Sequence, residues 1–138
     1  MSERPAILGL RHVALVIDDA AFDRTVHFWC EALGMRVDWQ PDDDNVYLTS
    51  GSDNVALHRT KPPRTVDHSR SALDHVGICV PTPADVHAWH ERLAPVADAL
   101  GIAILQAPRT HRDGATSFYL RDPAGTTVQI IHLPGVPT

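Results

Sequence analysis

The chain has 138 residues, enough to bury a sizeable core as one compact unit or two tightly joined halves. Its 43% hydrophobic and 21% charged content is that of an ordinary soluble globular protein, and a net charge of −5 excludes the basic surface that non-specific nucleic-acid binding needs. No stretch approaches the roughly 20 apolar residues of a membrane span, and Arg11 and His12 interrupt the apolar N-terminal run that a secretory leader would require.

A lead-in precedes a first strand from about Leu10 to Ile17. Strand residues alternate faces, so Val13, Leu15 and Ile17 form an apolar core face, while His12, Ala14 and Val16 line a space on the other. Asp18-Asp19 open a helix from about Ala21 to Leu33, with Phe22, Val26, Trp29 and Leu33 at the spacing of a buried stripe and Gly34 as its C-terminal stop. Met35 to Gln40 alternates as a second strand, Pro41 to Asp44 is a turn, Val46 to Ser50 a third strand, and Asn54 to Arg59 a fourth. Residues 60–72 have no periodicity and read as a linker.

The order then repeats. Leu73 to Val80 is a strand, with His75, Gly77 and Cys79 on one face. A helix follows from about Ala84 to Leu100, broken near Pro95, with His87 and His90 on its solvated side. Ile102 to Leu105, Ala115 to Leu120 and Thr126 to His132 are strands. Ala107 to Gly114 is a polar loop whose His111 stands at a cavity mouth, and Asp122-Pro123-Ala124-Gly125 is a tight turn. The chain is thus an internal duplication, in which His12 aligns with His75, Val46-Tyr47-Leu48 with Phe118-Tyr119-Leu120, and Ala56 with Gln129. The fold class is α+β. One domain, residues 1–138, holds two tandem βαβββ modules at about 8–60 and 73–133, forming a curved mixed sheet. A lone half leaves one sheet face uncovered; pairing two, within a chain or across a homodimer, closes a cavity. The two cysteines, Cys30 and Cys79, show neither CxxC nor zinc-knuckle spacing, which fits a reducing cytoplasm.

These residues resemble the vicinal oxygen chelate superfamily, which includes glyoxalase I, extradiol ring-cleaving dioxygenases, fosfomycin-resistance thiol transferases and the bleomycin-resistance proteins. The resemblance spans nearly the whole chain. It rests on His12 in the first strand, Phe28-Trp29 followed by Leu33-Gly34-Met35, Asp74 to Ile78, and above all the run Ser117 to Gln129. It implies a divalent metal (Fe, Mn, Ni or Zn) in the inter-module cavity, with ligands at His12, Ala56, His75 and Gln129. Ala56 cannot ligate. Gln129 stands where the family usually has Glu; it offers an amide oxygen without the charge that offsets a dication. His58 shares a face with Ala56 and is an alternative third ligand, and Asp74 is a candidate to support His75 from behind. In the resemblance Ser117 and Tyr119 fall on substrate-contacting positions; strand parity adds Arg121, Tyr47 and Asn54 to the lining.

Two functions follow. One is a metal-dependent lyase, isomerase, thiol transferase or dioxygenase that chelates an oxygenated small substrate. The other is a metal-free protein of the bleomycin-resistance kind, which binds a drug or metabolite and performs no chemistry.

Overall fold

The computed structural model describes residues 4–136. Its elements run β1 (His12–Asp18), α1 (Asp19–His27), β2 (Arg36–Asp42), β3 (Asn45–Thr49), β4 (Asn54–Thr60), β5 (Val76–Cys79), α2 (Pro83–Leu93), α3 (Ala97–Leu100), β6 (Ala103–Ile104), β7 (Arg109–Thr110), β8 (Thr116–Arg121) and β9 (Thr127–His132). Two mixed sheets result, one per module. The first has the order β1-β4-β3-β2; the second has the order β5-β9-β8-β6, with β7 also on β8. In each, the strand that precedes the helix runs parallel to the last strand of its module. This is the βαβββ repeat.

The local chemistry explains the elements. Leu15 and Ile17 are buried at 4% and 0% exposure, whereas Val16 between them is 54% exposed, so β1 has one core face and one open face. In β8 and β9, Phe118, Leu120, Val128 and Ile130 fill the core, leaving Ser117, Tyr119, Gln129 and Ile131 on the opposite, open side. α1 covers the core face of the first sheet and α2 that of the second. α1 passes directly into a π-helical turn at Phe28–Ala32, which buries Phe28 and Trp29 side by side, and Gly34 follows with φ +80°, a left-handed conformation natural to glycine. α2 opens with a full capping box between Thr82 and Asp85. It stops at Leu93, and the 3₁₀ turn Ala94–Val96 contains Pro95, whose ring cannot continue the α-helical ladder.

Three expectations shift. β5 begins at Val76, so His75 stands just before the strand. The linker contains a 3₁₀ turn, His68–Arg70, capped by the Asp67 carboxylate. The polar loop before β8 contains β7, paired in antiparallel register with Arg109 opposite Ser117 and Thr110 opposite Thr116. Among the described residues no helix is long and apolar enough to cross a membrane.

The two sheets share no ladder and are joined through side chains. One apolar core runs through both modules. Within it Trp29 Nε1 donates to Asp122 Oδ2 at 3.1 Å, from the first module to the β8–β9 turn of the second. Asp122 is 3% exposed, and its Oδ1 accepts from the backbone N–H groups of Ala124 and Thr126. Beside it, His68 bonds the Ala124 carbonyl at 2.9 Å, and elsewhere the Arg24 guanidinium of α1 lies against Gly101. At the far end of β4, Arg59 pairs with Asp19 and Asp23 of α1 and with Asp44 of the β2–β3 turn, and it stacks on Phe22 at 4.2 Å.

Burial raises the Asp122 carboxyl above its ordinary value, and the bonds from Trp29, Thr126 and Ala124 oppose that rise. An acid whose folded pKa is raised binds more protons in the folded state. Its contribution is therefore most favourable below the unfolded pKa and is lost as pH rises through the folded one. Trp29 acts on the ionised form, so the part of the Trp29→Phe penalty due to the hydrogen bond, about 1.5–3 kcal/mol for a charged acceptor, is fully present above the folded-state pKa of Asp122. It shrinks as Asp122 is protonated, while the packing part does not. Urea unfolding of the wild type and Trp29→Phe across the acidic range measures that difference; a penalty independent of pH would mean that the bond does not favour the ionised carboxylate.

Candidate functional site

The strand registers superpose the two open faces. Ala14 pairs with Ala56, which pairs with Tyr47; Gly77 pairs with Gln129, which pairs with Tyr119. Each module therefore has a small residue, a variable residue and a tyrosine in one row. The alignment of Ala56 with Gln129 is thus a register equivalence.

On the first module, His12 Nδ1 lies 2.7 Å from Asn54 Oδ1, and these two residues are register partners on β1 and β4. Asn54 Oδ1 accepts, so the His12 proton sits on Nδ1. His58 Nδ1 makes the same contact with Asn45 Oδ1 at 2.6 Å. Here the direction is fixed from behind. The Asn45 amide N donates to both carboxylate oxygens of Asp42, which can only accept, so the Asn45 oxygen must face His58. Bonds from the Asp44 backbone N–H and the Asn45 amide hold the Asp42 carboxyl below its ordinary range. Tyr47 stands between His58, edge-on with ring centres 5.8 Å apart, and Trp39, tilted at 5.0 Å. Trp39 is 57% exposed and forms an aromatic shelf.

On the second module, His75 Nδ1 lies 2.6 Å from Asp74 Oδ2, and the ring meets Tyr119 edge-on at 5.3 Å. Gln129 Nε2 donates to Ser117 Oγ at 3.0 Å, and Ser117 Oγ is 2.6 Å from His111 Nε2. The Ser117 hydroxyl thus bridges the Gln129 amide and the His111 ring, accepting from the first and sharing a proton with the second. Gln129 then turns its carbonyl oxygen toward Gly77, where a Cβ would stand 4.0 Å away. Tyr119, Gln129 and Ile131, with residues 109–113 and Ala115, line a cavity of about 580 Å³.

The residues singled out by sequence thus fall into separate groups. His12, Asn54, Tyr47 and His58 lie on the first module, and His75, Tyr119 and Gln129 on the second. Ser117 is fully buried and supports Gln129 and His111 from beneath the lining. Arg121 lies in another groove, between the modules, with Ala14, Val16, Asp74 and Thr127. His90, expected in solvent, packs edge-on against Phe118 at 5.2 Å. Asn45 and Arg109 were not legible as site residues, because their relevance depends on which strands pair.

The donor set can be weighed for a metal. Three histidines, His12, His58 and His75, each have Nδ1 held by a side-chain oxygen and, among the described residues, no hydrogen-bond partner at Nε2, the orientation that metal ligation uses. Their positions do not complete it. Among the described residues no three His, Cys, Asp or Glu side chains come together in a way that could hold a metal ion. Ala56 is fully buried and has no donor, and the Gln129 amide is neutral. Within one chain the described residues therefore do not assemble a donor set that fits a metal.

The architecture has many solved counterparts. A lactoylglutathione lyase from Agrobacterium tumefaciens superposes with a TM-score of 0.69 at 22% identity, over 96% of this chain and 100% of that one. A glyoxalase-related enzyme from Fulvimarina pelagi gives 0.72 at 18% identity, over 95% and 92%. A glyoxalase/bleomycin resistance protein/dioxygenase from Alicyclobacillus acidocaldarius gives 0.66 at 18%, over 92% of each. At these identities the likeness is one of fold. No curated protein matches the chain. The model of the glyoxalase/bleomycin resistance protein/dioxygenase superfamily matches residues 9–130, and with the duplicated βαβββ modules this places the chain in that superfamily.

Proposed function

We propose that the chain is a cytoplasmic small-molecule-binding protein that holds its ligand against the open faces of the two modules without a resident metal. One observation carries this reading: at the two equivalent ligand positions stand a buried, donorless Ala56 and a neutral Gln129 whose amide is committed to Ser117. The remaining groups suit direct recognition. The free Nε2 atoms of His12, His58 and His75 accept hydrogen bonds from hydroxyl or N–H groups, the Gln129 carbonyl does the same, and Trp39 with Tyr47 supplies an aromatic surface. An oxygenated, partly aromatic ligand matches that set.

A homodimer would fit the same reading. The open face of the first module is apolar in part, with Val16 and Trp39 exposed at 54% and 57%, and a second copy would close a cavity over it. Gel filtration at micromolar concentration is expected to show a dimer; a monomer would count against closure.

The second reading is a metal-dependent enzyme of lyase, isomerase, thiol-transferase or dioxygenase type. The tautomers of His12 and His75 favour it, provided that two copies bring His12 of one to His75 and Gln129 of the other. Such a set is wholly neutral and would bind Fe, Mn, Ni or Zn weakly. Elemental analysis of untagged protein from cells supplied with these metals separates the readings. Substoichiometric metal that His75→Ala does not change is expected; a full equivalent lost in that variant would overturn the metal-free reading and support the enzyme.

Ser117→Ala leaves the Gln129 amide N and His111 Nε2 without their partner. It is expected to cost about 1–3 kcal/mol in chemical denaturation. A neutral effect would show that water replaces the hydroxyl.

A further inference from the structure

The cavity on the open face of the second module is locally cationic within an acidic chain. The chain carries a net charge of −5, yet Arg109 and Arg112 line this space together with a single acid, Asp113. The Asp113 Oδ1 is occupied by the Ala115 backbone N–H at 3.0 Å. The ion pairs among the described residues lie elsewhere, at Arg59, Lys61 and His75. Neither guanidinium in the cavity is neutralised by a described carboxylate.

The segment that carries them is held in place. β7 is laddered to β8, the His111 N–H donates to the Ala115 carbonyl at 2.7 Å, and the Gly114 N–H donates to the His111 carbonyl at 3.0 Å. His111 is also anchored to Ser117 through its ring. Register fixes the direction of Arg109. It is directly opposite Ser117, and residues opposite one another in an antiparallel pair project to the same face. Arg109 therefore rises from the face that carries Tyr119 and Gln129.

We propose that this cavity is an anion subsite, in which Arg109, assisted by Arg112 at the rim, receives a carboxylate or phosphoryl group of the bound molecule. Both arginines are exposed, and a guanidinium pairs with such groups through two parallel N–H donors, so geometry rather than enclosure gives the site its preference. The ligand then spans an acidic group at β7 and a hydrogen-bonding or aromatic body on the rest of the open faces. This rests on the reading that the open faces hold a small molecule.

The test is amide and side-chain NMR of the full chain titrated separately with benzoate, benzamide and inorganic phosphate. Benzoate is expected to shift the 109–115 amides and the Gln129 side-chain NH₂, binding at least about tenfold more tightly than benzamide, a difference of about 1.4 kcal/mol. Arg109→Gln is expected to weaken benzoate by a similar factor, Arg112→Gln by less, and Arg36→Gln on β2 not at all. Shifts from phosphate instead of benzoate would keep the anion and give its source as a phosphoryl group. Equal binding of benzoate and benzamide at these residues would overturn the anion subsite and leave the small-molecule reading standing. An unaltered benzoate affinity in Arg109→Gln, or no shift at these residues with any probe, would also overturn the subsite.

Discussion

The hydrogen bond from Trp29 to Asp122 sets how the two modules meet. No strand of one sheet pairs with a strand of the other, so backbone bonding alone leaves their mutual orientation free. The indole N–H and the carboxylate are both buried, and neither finds a substitute if the modules slide. The apolar core supplies most of the adhesion but little direction, since apolar packing tolerates rearrangement. The carboxylate supplies direction: it is gripped by two backbone N–H groups of its own turn and offers one oxygen to one indole. The π-helical turn that ends α1 brings Trp29 to that point.

Much of this architecture was legible in the chain. The alternation in β1, the echo of His12 at His75 and the run Ser117 to Gln129 sufficed for the module order, and the equivalence of Ala56 and Gln129 emerged intact in the strand registers. The rest depends on partners far apart in sequence. The contact of Asn45 with His58 follows from how β3 lies on β4, and that of Trp29 with Asp122 spans 93 residues. β7 is only two residues long and sits among polar neighbours, so no periodicity could reveal it. His75 falls outside β5 because the ladder with β9 begins only at Val76.

The two open faces share a plan and differ in chemistry. In the first module the histidines lean on amides, Asn54 and Asn45, and face an aromatic shelf. In the second, His75 leans on a carboxylate, and the neighbouring Gln129 is held by a buried hydroxyl. In both, one ring nitrogen is committed and the other left over, so the faces present acceptors in defined directions. What these acceptors serve depends on charge, and the row that would ordinarily hold an acid holds Ala56 on one side and Gln129 on the other.

That inequality within a duplicated frame removes the approximate two-fold symmetry of the pair of modules. Tyr47 is paired across a donorless Ala56 on one face and Tyr119 across the amide-bearing Gln129 on the other, so a molecule that suits one face is not offered the same partners by its counterpart.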